Sequence, residues 1–329
     1  MHRFSKRAAI ALLVLALAAL AAATPPPATA ASIEFGPAAP YNTFILGDFQ
    51  GSSDTQGRLA VGGNANLSHY SVADQLVGGF GDGSSLVVGG NLNYTDGRVY
   101  VGNVSVGGQA NVSDSVRWGL VNNGQQLQSG LGANLPVDFN AAGQYLRGLS
   151  QDLANLPTTG TAEGKWGGIK IAGDGSSQLQ VFSVDGKDLS NATWWFELTS
   201  IPSDSYILLN IMGKEVSMTG GQQPLAAFSD RVIFNFYEAE KLSIYGVSVE
   251  GSVLAPFADI VRAEGVIQGQ LIAKSMSGPM QQNLNPFDPL NPQTPVAGTP
   301  EPGSLLLMAS GLAGLWAAAR RRGLATAQA

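Results

Sequence analysis

Apolar and polar positions alternate along residues 247–255, with Val247, Val249, Gly251 and Val253 facing one way and Ser248, Glu250 and Ser252 the other. Period-2 alternation predicts a strand. The pattern returns eighteen positions later: Gly251 falls on Gly269, Val253 on Leu271, Leu254 on Ile272 and Ala255 on Ala273. That interval is too short for a pair of helices and suits one turn of a stacked β-coil, with coils about 4.8 Å apart. Near the other end, short apolar runs close on Gly62-Gly63, Gly89-Gly90 and Gly107-Gly108, 27 and then 18 positions apart. Glycine pairs let the backbone turn a corner without a Cβ penalty. Residues 97–102 add a further strand. The pattern predicts a mostly β chain, a β-solenoid of coils about 18 residues long.

One segment breaks the alternation. Phe139, Ala142, Leu146, Leu149, Leu153 and Leu156 recur in steps of three and four, Asp138 is a candidate N-cap, and Pro157 stops the run. This predicts a long amphipathic α-helix over residues 138–156, packed by its single apolar stripe along the side of the coils. Strands rich in β-branched and aromatic residues follow at 169–172, 178–184, 194–198, 206–212 and 232–236. After Gly278 periodicity ends and Gln, Asn and Pro dominate, which reads as a linker over residues 281–299.

Both ends read as addresses rather than fold. Arg3, Lys6 and Arg7 precede an apolar run to Ala23, and Ala28-Thr29-Ala30 offers a small-residue cleavage site, with Ala28 and Ala30 at its key positions. Residues 1–30 are therefore expected to be a signal peptide cut by signal peptidase. At the other end Pro300-Glu301-Pro302 precedes an apolar run over 303–319 and then Arg320-Arg321-Arg322. A short apolar helix ending in arginines halts in a membrane with its charges in the cytoplasm. The three-part arrangement resembles the PEP-CTERM sorting signal of Gram-negative bacteria. That resemblance implies processing by an exosortase-type enzyme in exopolysaccharide-producing cells, transient anchoring through 303–319, and release to the surface or matrix.

Trimming both ends takes Lys+Arg from 18 to 12 and Asp+Glu from 24 to 23, so the net charge moves from −6 to about −11. Such a balance disfavours nucleic acid and anionic membrane as partners. The chain has no cysteine, which removes disulfides, thiol chemistry and cysteine-based metal sites. Five Asn-x-Ser/Thr triplets start at Asn66, Asn93, Asn103, Asn111 and Asn191. Most are read as turn residues repeated with the coil, where one asparagine can ladder on the next.

Several pieces together resemble the choice-of-anchor A family of bacterial surface proteins. They are residues 41–49 and 57–64, the helix at 139–156, Asn210-Ile211-Met212-Gly213, residues 232–239, residues 251–258, and Gly269-Gln270-Leu271-Ile272-Ala273. The resemblance spans a domain at residues 31–280 and implies a surface location and adhesion. It supplies no catalytic residues. The closing pattern also resembles bacterial ice-binding β-solenoids. A flat ice face would want regular Thr-x-Thr rows, whereas Ser248, Glu250 and Ser252 lie over Val266, Gln268 and Gln270.

Catalytic chemistry has little to stand on. His69 is the single histidine after the leader, and no nucleophile elbow accompanies it. Asp230, Glu238, Glu240, Glu250, Asp259 and Glu264 cluster in sequence without a spacing that identifies a glycosidase pair. Residues 78–83 approach a calcium-binding nonapeptide, but Asp82 sits one place early and the motif does not repeat. No metal or other cofactor is expected, with calcium the one candidate. Trp194 and Trp195 would lie on opposite faces of a strand, one of them a candidate platform for a sugar ring. The expected function is a non-enzymatic adhesive or structural role with exopolysaccharide or matrix proteins as partners. A polysaccharide-active enzyme on the same scaffold is the alternative, and ice binding a minor one.

Overall fold

The computed structural model describes residues 32–76 and 83–290, and the span Ile33–Leu290 forms one compact unit. Short strands follow one another in threes. Thr43–Ile45, Phe49–Gly51 and Asp54–Thr55 make the first coil; Leu59–Val61, Ala65–Leu67 and Tyr70–Val72 make the second; Ser84–Val88, Leu92–Tyr94 and Gly97–Val99 make the third. Each strand pairs in parallel with its counterpart in the next coil, so the sheet curls into three faces. Ile45 sits on Val61, Val61 on Val88, and Val88 on Val106. At the other end Val253, Leu254 and Ala255 lie on Leu271, Ile272 and Ala273, the eighteen-residue register of the repeat.

The coils do not stack in chain order. Leu271, Ile272 and Ala273 pair with Thr43, Phe44 and Ile45, whose other edge carries Leu59, Ala60 and Val61. The final coil therefore lies against the first. Along one face the strands run 179–185, 206–212, 232–235, 252–255, 271–273, 43–45, 59–61, 86–88, 104–106 and 127–128. The chain winds outward from this seam, crosses to the far end and winds back. Polar side chains tie the seam. Buried Asn42 donates to the carbonyls of Gly269 and Asn283 and accepts from the Gly57 amide. Thr55 and Tyr70 both donate to Gln282 Oε1, at 2.8 and 2.9 Å.

The three helices used below are short: α1 Asp114–Asn122, α2 Phe139–Ala154 and α3 Gly186–Asn191. The helix expected at 138–156 is α2, 16 residues long, started by the Asp138 carboxylate accepting from the amides of Asn140 and Ala141. Its Ala142, Leu146 and Leu153 are buried on Phe44, Ala60, Val87, Leu254 and Ile272, the outward side chains of one face. That face is buried on both sides, so its strands read as continuous apolar runs rather than alternating ones. Asn235 and Asn210 anchor α2 to two coils, donating to the carbonyls of Ser150 and Leu153 at 2.8 Å each. Helices α1 and α3 escape the sequence pattern because each is too short to show a stripe. Outside the stack, Thr161–Lys165, Gly168–Ala172 and Phe196–Thr199 form a small sheet of their own.

Three expectations need correction. The linker proposed from residue 281 starts later: Met280–Asn283 is a paired strand, Phe287 and Leu290 are buried, and Leu290 bridges Ile33. Ser252 and Gln270 do not face solvent. Both are buried, with the Gln270 amide donating to the carbonyls of Tyr41 and Ala39 and accepting from Phe287 N. The paired glycines serve close stacking rather than unusual dihedrals. A Cβ on Gly89 would lie 2.2 Å from the Gly62 carbonyl oxygen, and one on Gly107 2.3 Å from that of Gly89. Residues 1–30, the apolar run at 303–319, the sorting residues and most of the calcium candidate at 78–83 lie outside the described residues.

Candidate adhesive surface

Of the three faces, α2 covers one, and the face built on Phe49–Gly51, Ala65–Leu67, Leu92–Tyr94 and Ala110–Val112 stays open. In its strands the flanking side chains Phe49, Ala65, Leu67, Leu92 and Tyr94 go inward to the core. The central ones, Gln50, Asn66, Asn93 and Asn111, share one row by register. Ser277 of the last coil continues it across the seam, opposite Gln50. The row thus offers one amide or hydroxyl per coil, about 4.8 Å apart. Asn111 Nδ2 donates to Asn93 Oδ1 at 2.9 Å, one rung of the expected ladder, but Asn66, Asn93 and Asn111 stand at strand centres and not in the turns expected for them.

A second row stiffens the adjacent corner. Asp48, Asn64 and Asn91 each accept, through Oδ1, the backbone N–H one coil along, from Asn64, Asn91 and Gln109 at 2.8–2.9 Å. These bonds hold the corner backbone in step and leave the face rigid. A shallow groove of about 410 Å³ runs over Gln50, Asn66, Ser68, Asn93, Thr95 and Ser277. Another, of about 300 Å³, adjoins it over Asp259, Val261 and Ser275.

Past the seam the same face turns from amides to charges. Lys274 pairs with Asp259 at 2.8 Å, Lys241 with Glu215 at 3.0 Å, and Lys214 with Glu240 at 2.7 Å. Partial burial works to raise the Asp259 carboxyl, yet the Lys274 ammonium and the Ser275 hydroxyl outweigh it and hold it below its ordinary value. Exposed pairs of this kind contribute little stability. Their value is a surface with both signs interleaved.

The acidic and histidine side chains singled out in the sequence sit in local pairings. The carboxylates clustered in sequence each have a local partner: Asp230 with Arg231, Glu238 with the Gly213 amide, Glu240 with Lys214, Glu250 with Ser248, Asp259 with Lys274, and Glu264 with Arg262. His69 does meet a serine and an acid, Ser68 at 3.1 Å and Asp96 at 3.4 Å, but it is 79 % exposed on a turn. Such a setting has no water-excluding wall around a reacting group. Among the described residues no three His, Asp or Glu side chains gather in a metal-holding cluster.

The tryptophans form a separate feature. Trp194 and Trp195 precede the strand Phe196–Thr199 rather than lying in it; Trp194 is 76 % exposed and Trp195 half-buried. Trp194 N donates to the Gly167 carbonyl at 3.1 Å, and a Cβ on Gly168 would strike the Trp195 ring at 2.6 Å. This places both against the hairpin joining Thr161–Lys165 to Gly168–Ala172, whose tip is Trp166-Gly167. Trp166 was missed by the sequence reading. It is 82 % exposed, with φ +50°, and Gly167 follows at φ +77°. Two positive φ values mark a type I′ turn, which favours Asn-Gly. Holding tryptophan there costs about 1–2 kcal/mol.

The sequence matches the family model described as "Putative Ice-binding-like adhesive domain" over residues 34–284, and a PEP-CTERM protein-sorting motif over residues 299–322. No curated protein matches the chain. A solved structure that it resembles is the ice-binding protein from the Antarctic ascomycete Antarctomyces psychrotrophicus, at 11 % identity and a TM-score of 0.30. The match covers 78 % of this chain and 99 % of that one.

Proposed function

The chain belongs to the ice-binding-like adhesive domain family, and on that premise we propose that it is an exported surface protein with a non-enzymatic adhesive or matrix-structural role. The sorting motif at 299–322 supports export and handling by an exosortase-type enzyme. In this reading residues 1–30 are removed on export, residues 303–319 hold the protein briefly in the membrane, and the domain reaches the surface or extracellular matrix. Among the described residues no helix is long and apolar enough to cross a membrane. The curled parallel sheet is best understood as a β-solenoid whose two sets of coils share one stack.

The observation that carries the adhesive reading is the open face. A rigid row of Ser277, Gln50, Asn66, Asn93 and Asn111 presents repeated donors and acceptors over a groove too shallow to enclose a reacting molecule. Repetition at a fixed spacing suits a polymer, where weak contacts add along the chain. Exopolysaccharide or a matrix protein is the partner class. The test is retention of the exported protein on extracted matrix material, compared with a variant carrying Gln50→Ala, Asn66→Ala and Asn93→Ala. Gln50 and Asn66 are exposed and Asn93 is half-buried, so the variant should stay folded with a small loss of melting temperature and cut retention at least about tenfold. Equal retention would remove the open face from the adhesive role.

A further inference from the structure

We infer that the hairpin tip at Trp166, together with Trp194, is a sugar-binding platform that stacks on pyranose rings of a polysaccharide. The platform deepens the adhesive reading and rests on it for the partner class, but it lies on different residues from the open face. Its first support is exposure. Two indoles flank Gly167, at 82 % and 76 % exposure, whereas the other strongly exposed indole among the described residues, Trp118 at 65 %, lies on α1. The second is conformation: Trp166 occupies a left-handed position that asparagine or glycine would take without strain. Strain held in a surface residue points to function. The third is rigidity, because the Gly167 carbonyl accepts from Trp194 N at 3.1 Å while the half-buried Trp195 underlies Gly168.

Chemistry selects the ligand. An indole face carries negative charge in its quadrupole and attracts weakly positive C–H or cationic groups; Lys165 Nζ already lies 4.7 Å from the Trp166 ring centroid. A pyranose with equatorial hydroxyls offers flat C–H faces, while its rim can bond with Lys165 and the exposed Thr193. Size argues in the same direction. Two indoles bury at most about 500 Å², short of the roughly 800 Å² per partner of a standard protein interface. β-Linked glucans, whose rings present C–H faces on both sides, are the class with the best fit.

The test is a tryptophan-fluorescence titration of the exported protein with cellohexaose and laminarihexaose, alongside Trp166→Asn and Trp194→Ala. Binding should produce a saturable blue shift with at least one hexasaccharide. Each variant should weaken it at least tenfold, and Trp166→Asn should melt at or above the wild-type temperature, because asparagine suits the turn. Lost affinity without lost stability is a signature that a merely structural tryptophan would not give. No response from wild type to either sugar would overturn the inference, as would unchanged affinity in Trp166→Asn. A shift only with phosphatidylcholine vesicles would reassign the indoles to lipid. If the protein holds to matrix material but binds neither hexasaccharide, the platform falls and the adhesive reading stands.

Discussion

Replacing Asn42 with alanine should strongly destabilise the domain at the seam. Asn42 is buried and bonds three separate segments: the corner at Gly269, the C-terminal strand end at Asn283, and the amide of Gly57 in the first turn. At a net value of about 1 kcal/mol per hydrogen bond, the three together contribute about 3 kcal/mol. The partners left behind are two carbonyls and one amide, and a buried group without a partner costs about 1–3 kcal/mol. The loss should therefore be at least about 3 kcal/mol. In a domain of this length each kcal/mol moves the melting temperature by about 2–4 °C, which gives a drop of at least about 6 °C. Calorimetry on wild type, Asn42→Ala and the exposed control Asn66→Ala measures it. The control should shift by less than about 2 °C, since surface changes stay within about 0.5 kcal/mol. If Asn42→Ala melts like the control, the seam is not where the two sets of coils are held.

Gly89→Ala should prevent stable folding or cost several kcal/mol, because the added Cβ would sit 2.2 Å from a backbone oxygen that cannot move alone; soluble yield and circular dichroism report it. Stability should also fall at high pH. Burial pushes the Tyr70 and Tyr94 phenols above their ordinary value, Tyr70 by desolvation against the lowering effect of its Thr55 bond. A folded-state pKa above the unfolded one gives stability that is complete below about pH 10 and lost as pH rises beyond it. Urea midpoints between pH 7 and 11.5, read with tyrosinate absorbance, should show that decline, and a flat profile would contradict the burial. A circular permutant joining residue 290 to residue 33 and opening at the exposed Asn123-Gly124 turn should fold with a melting temperature within about 5 °C of wild type, since its new link spans ends that are already paired.

Much of the coil architecture was legible because its determinants are local. The interval between Val253 and Leu271 is a register that the sheet then adopts, and the asparagines that recur with it form the ladder at Asn93 and Asn111. The order of the coils was not legible. Periodicity says which residues share a coil, but Thr43–Ile45 has two edges and nothing nearby says that Leu271 will take one of them. Phe287 and Leu290 escaped for a related reason, being lone apolar residues among prolines whose burial depends on distant Phe35 and Ile33. Trp166 was hidden because only the hairpin register turns it from a loop residue into a strained, solvent-facing one.

The pairing of Ile33 with Leu290 beside the seam has a mechanical consequence. Were the domain held from its C-terminal side, load would reach it at Leu290, and traction would enter at the middle of the row of coils and not at an end. From Phe287 and Gln282 the tension spreads into coils on both sides at once. Neither terminal coil need bear the whole pull, and peeling from an end, the easiest way to unravel a stacked sheet, is not the path along which this load acts.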